Sequence, residues 1–117
     1  MSETTHPHTL SRLAATIDAR KGADPSSSYV AKLLADAPAL PARKLGEEAV
    51  ETIVAALNGS DEDLIGEAAD VLFHLSVVMA ARGLSIGDAL TELDRRDGVS
   101  GIVEKASRNA AHERSEA

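Results

Sequence analysis

Five carboxylates hold the chemical interest of this chain: Glu47, Glu48 and Glu51 in one segment, Glu67 and Asp70 in another. They spell E-E-x-x-E and E-x-x-D, so each segment offers a pair of acids three residues apart. On a helix that spacing keeps both side chains on one stripe, about 4.5 Å apart along the axis. Like charges so close repel unless water or a cation neutralises them. Two such pairs facing each other would supply four hard oxygen donors, the ligand set of Mg²⁺, with Mn²⁺ also acceptable. Cysteine is absent, which removes a thiolate zinc site and any disulfide scaffold.

The elements that must position these acids are helical. Leu10, Leu13, Ala14 and Ile17 recur at helical spacing, with Gly22 as a stop. Ser28 is a cap for a short helix, Tyr29 to Ala35, that turns Val30, Leu33 and Leu34 inward. A third helix is predicted from Pro41 to Leu57, stopping at Asn58-Gly59. Ser60 and Asp63 form a capping pattern for a fourth, which ends near Arg82-Gly83. Ser85 and Asp88 repeat that pattern for a fifth, and Ile102 to Arg108 suit a further helical stretch. If the turn between the third and fourth helices centres near Gly59, Glu51 comes level with Glu67 and Glu48 with Asp70. Axes about 8–10 Å apart would leave room for cations between them.

Other readings of the same residues compete. Glu47, Glu48 and Glu51 would serve equally as a solvated helix face. Glu67 and Asp70 fit that description poorly, because Val71 to Ala81 is apolar nearly all round and reads as a helix buried among others. Pairing of Glu67 and Asp70 with Lys44 or Arg82 is a second alternative. A di-iron bundle calls for Glu-x-x-His on two helices, and that pattern is missing. His74, one turn beyond Asp70, suits orienting that carboxylate or a purely structural role. Tyr29 suits stacking on a base or covering the core.

Composition agrees with one soluble all-α domain. The 117 residues are 44% hydrophobic and 26% charged, and Tyr29 and Phe73 are the only aromatics among them. The expected architecture is helical hairpins forming a four-helix-bundle core, completed by a homodimer, because one copy offers little surface to cover its apolar arcs. Flexible ends are expected at 1–8 and 109–117, around a domain at 9–108. A net charge of −7 disfavours nucleic acid as a partner, while a bound divalent cation would still admit a phosphate-bearing ligand. No signal peptide and no membrane span is read, so a cytoplasmic location is expected.

The runs ARKGADPSSSYVAKLL, ARKLGEEAVETIVAAL and LIGEAADVLFHLSVVMAARGLS closely resemble the phosphoribosyl-ATP pyrophosphatases, the second enzymes of histidine biosynthesis. The resemblance spans about Leu10 to Arg108. The carboxylate pattern alone marks the wider superfamily of all-α nucleoside triphosphate pyrophosphatases, and S-Y-x-x-K-L with D-x-x-x-H narrows it. Phe73 stands where tyrosine is usual, and Val71 where leucine is usual. The resemblance implies Glu48, Glu51, Glu67 and Asp70 as magnesium ligands, with Glu47 as an accessory catalytic carboxylate. It implies Arg20, Lys21, Lys32 and Lys44 as phosphate contacts, with Tyr29 as a further substrate-binding candidate. Arg95, Arg96 and Lys105 are further cations available for a second phosphate. The resemblance also implies a dimer of four-helix bundles acting on a nucleotide. Two alternatives remain: a house-cleaning pyrophosphatase for non-standard deoxynucleotides, and a helical dimerisation module whose acidic face binds a partner or Ca²⁺.

Overall fold

The computed structural model describes residues 6, 8–98 and 101–116, with the backbone alone described at 101–104 and 113–116. The expected flexible N-terminus, 1–8, lies outside the described residues except for His6 and His8. Six helices and no strand appear among the described residues: α1 Thr9–Ala19, α2 Tyr29–Ala35, α3 Ala39–Asn58, α4 Asp61–Ala81, α5 Ile86–Arg96 and α6 Gly101–Glu116. The chain forms two compact units, Met1–Gly87 and Asp88–Ala117.

Local chemistry sets the boundaries. The Ser28 hydroxyl accepts the Ala31 N–H at 3.2 Å and opens α2. Helix α3 starts at Ala39, two residues before the expected Pro41, which falls within the first turn where a missing N–H costs nothing. Ser60 and Asp63 close a reciprocal capping box on α4, both bonds at 3.1 Å. Ser85 accepts from the Gly87 N–H at 3.1 Å at the start of α5. The α3–α4 turn needs glycine for space: a Cβ at Gly59 would lie 3.0 Å from the Ala55 backbone and 3.2 Å from the Asp63 Cβ. Past Arg108, where the sequence reading ends its helix, the backbone of α6 stays helical to Glu116.

Within the first unit α3 and α4 form the main antiparallel hairpin, and α1 and α2 pack against α4. The core lies at the end served by all three of α1, α2 and the second half of α4. There Ile17, Val30, Leu33 and Val77 are buried together, joined by Leu13, Leu34, Leu40, Phe73 and Ala80. The other end of the hairpin is bare: Val50, Ile53, Val54, Leu57 and Ile65 are all exposed. Within one copy of the chain, His74, Ser76 and Val77 are the buried residues of α4. By length and composition α4 also passes as a membrane span, which the sequence reading did not credit. It carries Glu67 and Asp70 and packs as half of the hairpin, as the core helix of a soluble protein also would.

Candidate metal centre

The hairpin register brings the acids of the two helices together. Glu48 on α3 and Glu67 and Asp70 on α4 can each turn one carboxylate oxygen so that all three atoms lie within 4.8 Å of one another. Glu51, one turn along α3, stands beside Glu67, close enough for the two to share a proton. Glu67 is pushed up to about 7, first by that contact with Glu51, then by burial, then by Glu48. Glu48 is also raised, by burial first and by Glu51 second. One oxygen on each of Glu48 and Glu67 is buried with no hydrogen-bond partner. Buried carboxylate oxygens without donors are costly, and a hard divalent cation is the partner that would satisfy both at once. The donor set therefore fits Mg²⁺ or Mn²⁺.

Glu47 lies apart from this group. Its carboxylate points to Lys44 at 3.8 Å and Arg43 at 4.0 Å, both along its own helix. Lys44 is thus occupied by an acid of the same motif. Lys21 pairs with Asp18 at 3.1 Å and lines a cavity with Ala80, Ala81 and Gly83 at the far end of α4. That end is about 15 Å along the axis from Asp70. Arg20 caps α1 and is exposed. Arg95 and Arg96 grip Glu92 of α5 at 2.7–2.9 Å, holding its carboxyl down to about 2, and all three belong to the second unit. Lys105 is exposed on α6.

Tyr29 and Lys32 fare differently. With Pro25, Ser26, Ser27 and Ser28 they line an open cavity of about 560 Å³. The Tyr29 hydroxyl reaches Nε2 of the buried His74 at 3.0 Å, one turn beyond Asp70. His74 Nδ1 lies 2.8 Å from the Asp70 backbone oxygen. Of the two roles expected for His74, the structural one fits this geometry better, because its ring bonds the Asp70 carbonyl and not the carboxylate. Tyr29 stacks on Phe73 with centroids 6.0 Å apart, so it covers the core with one face while 49% of the residue stays exposed. A second cavity, about 350 Å³, opens beyond Glu67 toward the hairpin turn and is walled by Val50, Glu51, Val54, Asn58 and Asp63. Its apolar wall, Val50 and Val54, belongs to the exposed side of α3.

These features define a class: an all-α protein with a helical hairpin that gathers carboxylates from both helices. A family model described as phosphoribosyl-ATP pyrophosphohydrolase matches residues 10–97, and the chain belongs to that family. It is 59% identical over 101 residues to the phosphoribosyl-ATP pyrophosphatase of Erythrobacter litoralis, covering 86% of this chain and 97% of that one. To the protein of the same name from Rhodobacter capsulatus it is 61% identical over 99 residues, covering 85% and 96%. The Dinoroseobacter shibae phosphoribosyl-ATP pyrophosphatase is 60% identical over 99 residues.

Proposed function

We propose that this chain hydrolyses phosphoribosyl-ATP to phosphoribosyl-AMP and pyrophosphate, the second step of histidine biosynthesis, as a Mg²⁺-dependent enzyme. The carrying observation is the buried, partnerless oxygen on each of Glu48 and Glu67, inside a family whose relatives bear that activity in their names. Glu48, Glu51, Glu67 and Asp70 would hold the metal. When bound, Mg²⁺ supplies positive charge between the carboxylates and the triphosphate and steadies the leaving pyrophosphate. The chain's own residues do the rest. A carboxylate of the cluster orients water for in-line attack on the α-phosphorus and takes its proton as the α–β bridging bond breaks. Lys32 offers charge to the phosphates from the cavity it shares with Tyr29.

Val50, Ile53 and Leu57 lie on one stripe of α3 and are 59%, 59% and 76% exposed, an apolar surface suited to a second copy of the chain. A cytoplasmic location fits a biosynthetic hydrolase of this family. Pyrophosphate release from phosphoribosyl-ATP, ATP and a deoxynucleotide panel, with and without Mg²⁺, tests the whole. Metal-dependent preference for phosphoribosyl-ATP is the expected result. Preference for a deoxynucleotide would move the assignment to the house-cleaning pyrophosphatases, and no turnover at all would favour a binding module.

A further inference from the structure

The buried His74 has no part in the hydrolysis just described, yet both its ring nitrogens are engaged. A backbone carbonyl can only accept, so the Asp70 oxygen at 2.8 Å requires the proton on Nδ1. In the neutral ring Nε2 then carries a lone pair, and the Tyr29 hydroxyl 3.0 Å away must be the donor. The phenol thereby spends its one proton inward. Phe73 backs one face of the Tyr29 ring at 16° from parallel, and His74 meets both rings edge-on at 83° and 88°. What Tyr29 shows to the cavity is therefore an open ring face and an oxygen that can accept but not donate.

We infer that His74 is the positioning residue for Tyr29, and that together they make Tyr29 a contact for the nucleoside part of the substrate and not for its phosphates. Phosphate oxygens need donors, which this phenol lacks once His74 holds its proton. A purine stacks on a ring face, and a base amino group or ribose hydroxyl donates to an acceptor oxygen. Lys32, in the same cavity, supplies the charge that phosphates need. The division of labour places base or ribose at Tyr29 and polyphosphate toward Lys32 and the carboxylates. It rests on the proposed hydrolysis and names which residues sort the substrate's two ends.

Kinetics of Tyr29→Phe, His74→Asn and His74→Gln test it, with inorganic tripolyphosphate plus Mg²⁺ as a phosphate-only competitor. Asparagine keeps a donor for the Asp70 carbonyl but falls short of Tyr29, while glutamine reaches Tyr29 with an acceptor. Tyr29→Phe and His74→Asn should each lower kcat/KM about three- to tenfold through KM, the size of one hydrogen bond. The double variant should be no worse than either, and His74→Gln should recover part of the loss. Tripolyphosphate inhibition should stay within about twofold throughout, since no phosphate contact is lost. Equal weakening of nucleotide and tripolyphosphate, or an unchanged nucleotide KM, would overturn the inference. If His74→Asn folds poorly by circular dichroism, Tyr29→Phe decides by the same criteria. Wild-type turnover is measured first, so absence of activity speaks against the proposed reaction. Nitrogen-15 NMR of the ring tests the pair independently: Nδ1 should be the protonated nitrogen, and the opposite tautomer would refute it.

Discussion

Helix α4 passes through two environments. In its second half Val77 is wholly buried beside Ile17 and Leu33, while in its first half Ile65 is 69% exposed. Both residues are β-branched and apolar, so composition does not separate them. Coverage does: α1 and α2 close over the second half, whereas among the described residues of the first unit α3 is the helix that pairs along the first. The same contrast holds for polar groups. His74, at the covered end, has a partner for each ring nitrogen, but buried oxygens of Glu48 and Glu67 have none. One end is finished by the chain itself. The other leaves buried carboxylate oxygens without donors and an apolar stripe uncovered, the two features on which the proposed cation and the proposed second copy rest.

The largest effect expected from breaking this contrast is on activity. Glu67→Gln and Glu51→Gln should each cut pyrophosphate release about a hundredfold or more at limiting Mg²⁺, as losing one key charged contact does. Circular dichroism should show an intact fold, and the double variant should lose little further, because the acids act as one unit. Near-normal rates in both would sink the carboxylate site. At the finished end, Leu33→Ala leaves a cavity in a fully buried core and should cost about 2–5 kcal/mol in denaturant unfolding. A cost near zero there would mean that the core lies elsewhere.

Ile53→Asp probes the bare stripe. Sedimentation should show dimers for the parent chain and monomers for the variant at micromolar concentration, because a charge is driven into an apolar contact. A compact parent monomer would refute self-association. A gentler effect follows from protonation. Glu67 rises in the folded state to about 7, so the folded protein holds a proton that the unfolded chain releases near 4.5. That contribution is fully present below pH 4.5 and is lost as pH climbs through 7. Metal-free thermal unfolding should therefore fall over that window, and added Mg²⁺ should restore most at the alkaline side, where the acids are ionised. A flat metal-free profile would contradict the crowding of Glu67. The smallest effect belongs to the second unit. Glu92→Gln loosens two half-exposed arginine contacts and should barely move the melting temperature. A large drop would show that this pair matters more than its exposure suggests.

What the sequence by itself determined is local or periodic. Ser28 and the Ser60–Asp63 box cap their helices, and Gly22 and Gly83 end theirs at φ of +79° and +74°, as side-chain chemistry within four residues dictates. The carboxylate cluster was legible for the same reason. A short turn at Gly59 ties the register of α4 to α3, and three-residue spacing then sets which acids meet. Tertiary structure decided what depends on distant segments. The Tyr29 hydroxyl finds His74 across 45 residues, through the way α2 lies on α4, and no spacing rule encodes that approach. It likewise decided that Lys32 stays in the Tyr29 cavity while Lys21 sits in a separate one, beside Ala80, Ala81 and Gly83. The bare stripe shows the limit most clearly. Val50, Ile53, Val54 and Leu57 recur at helical spacing and so form an apolar arc, but an arc has only a direction. Whether anything stands in that direction depends on where the other helices end, and α1 and α2 end short of it.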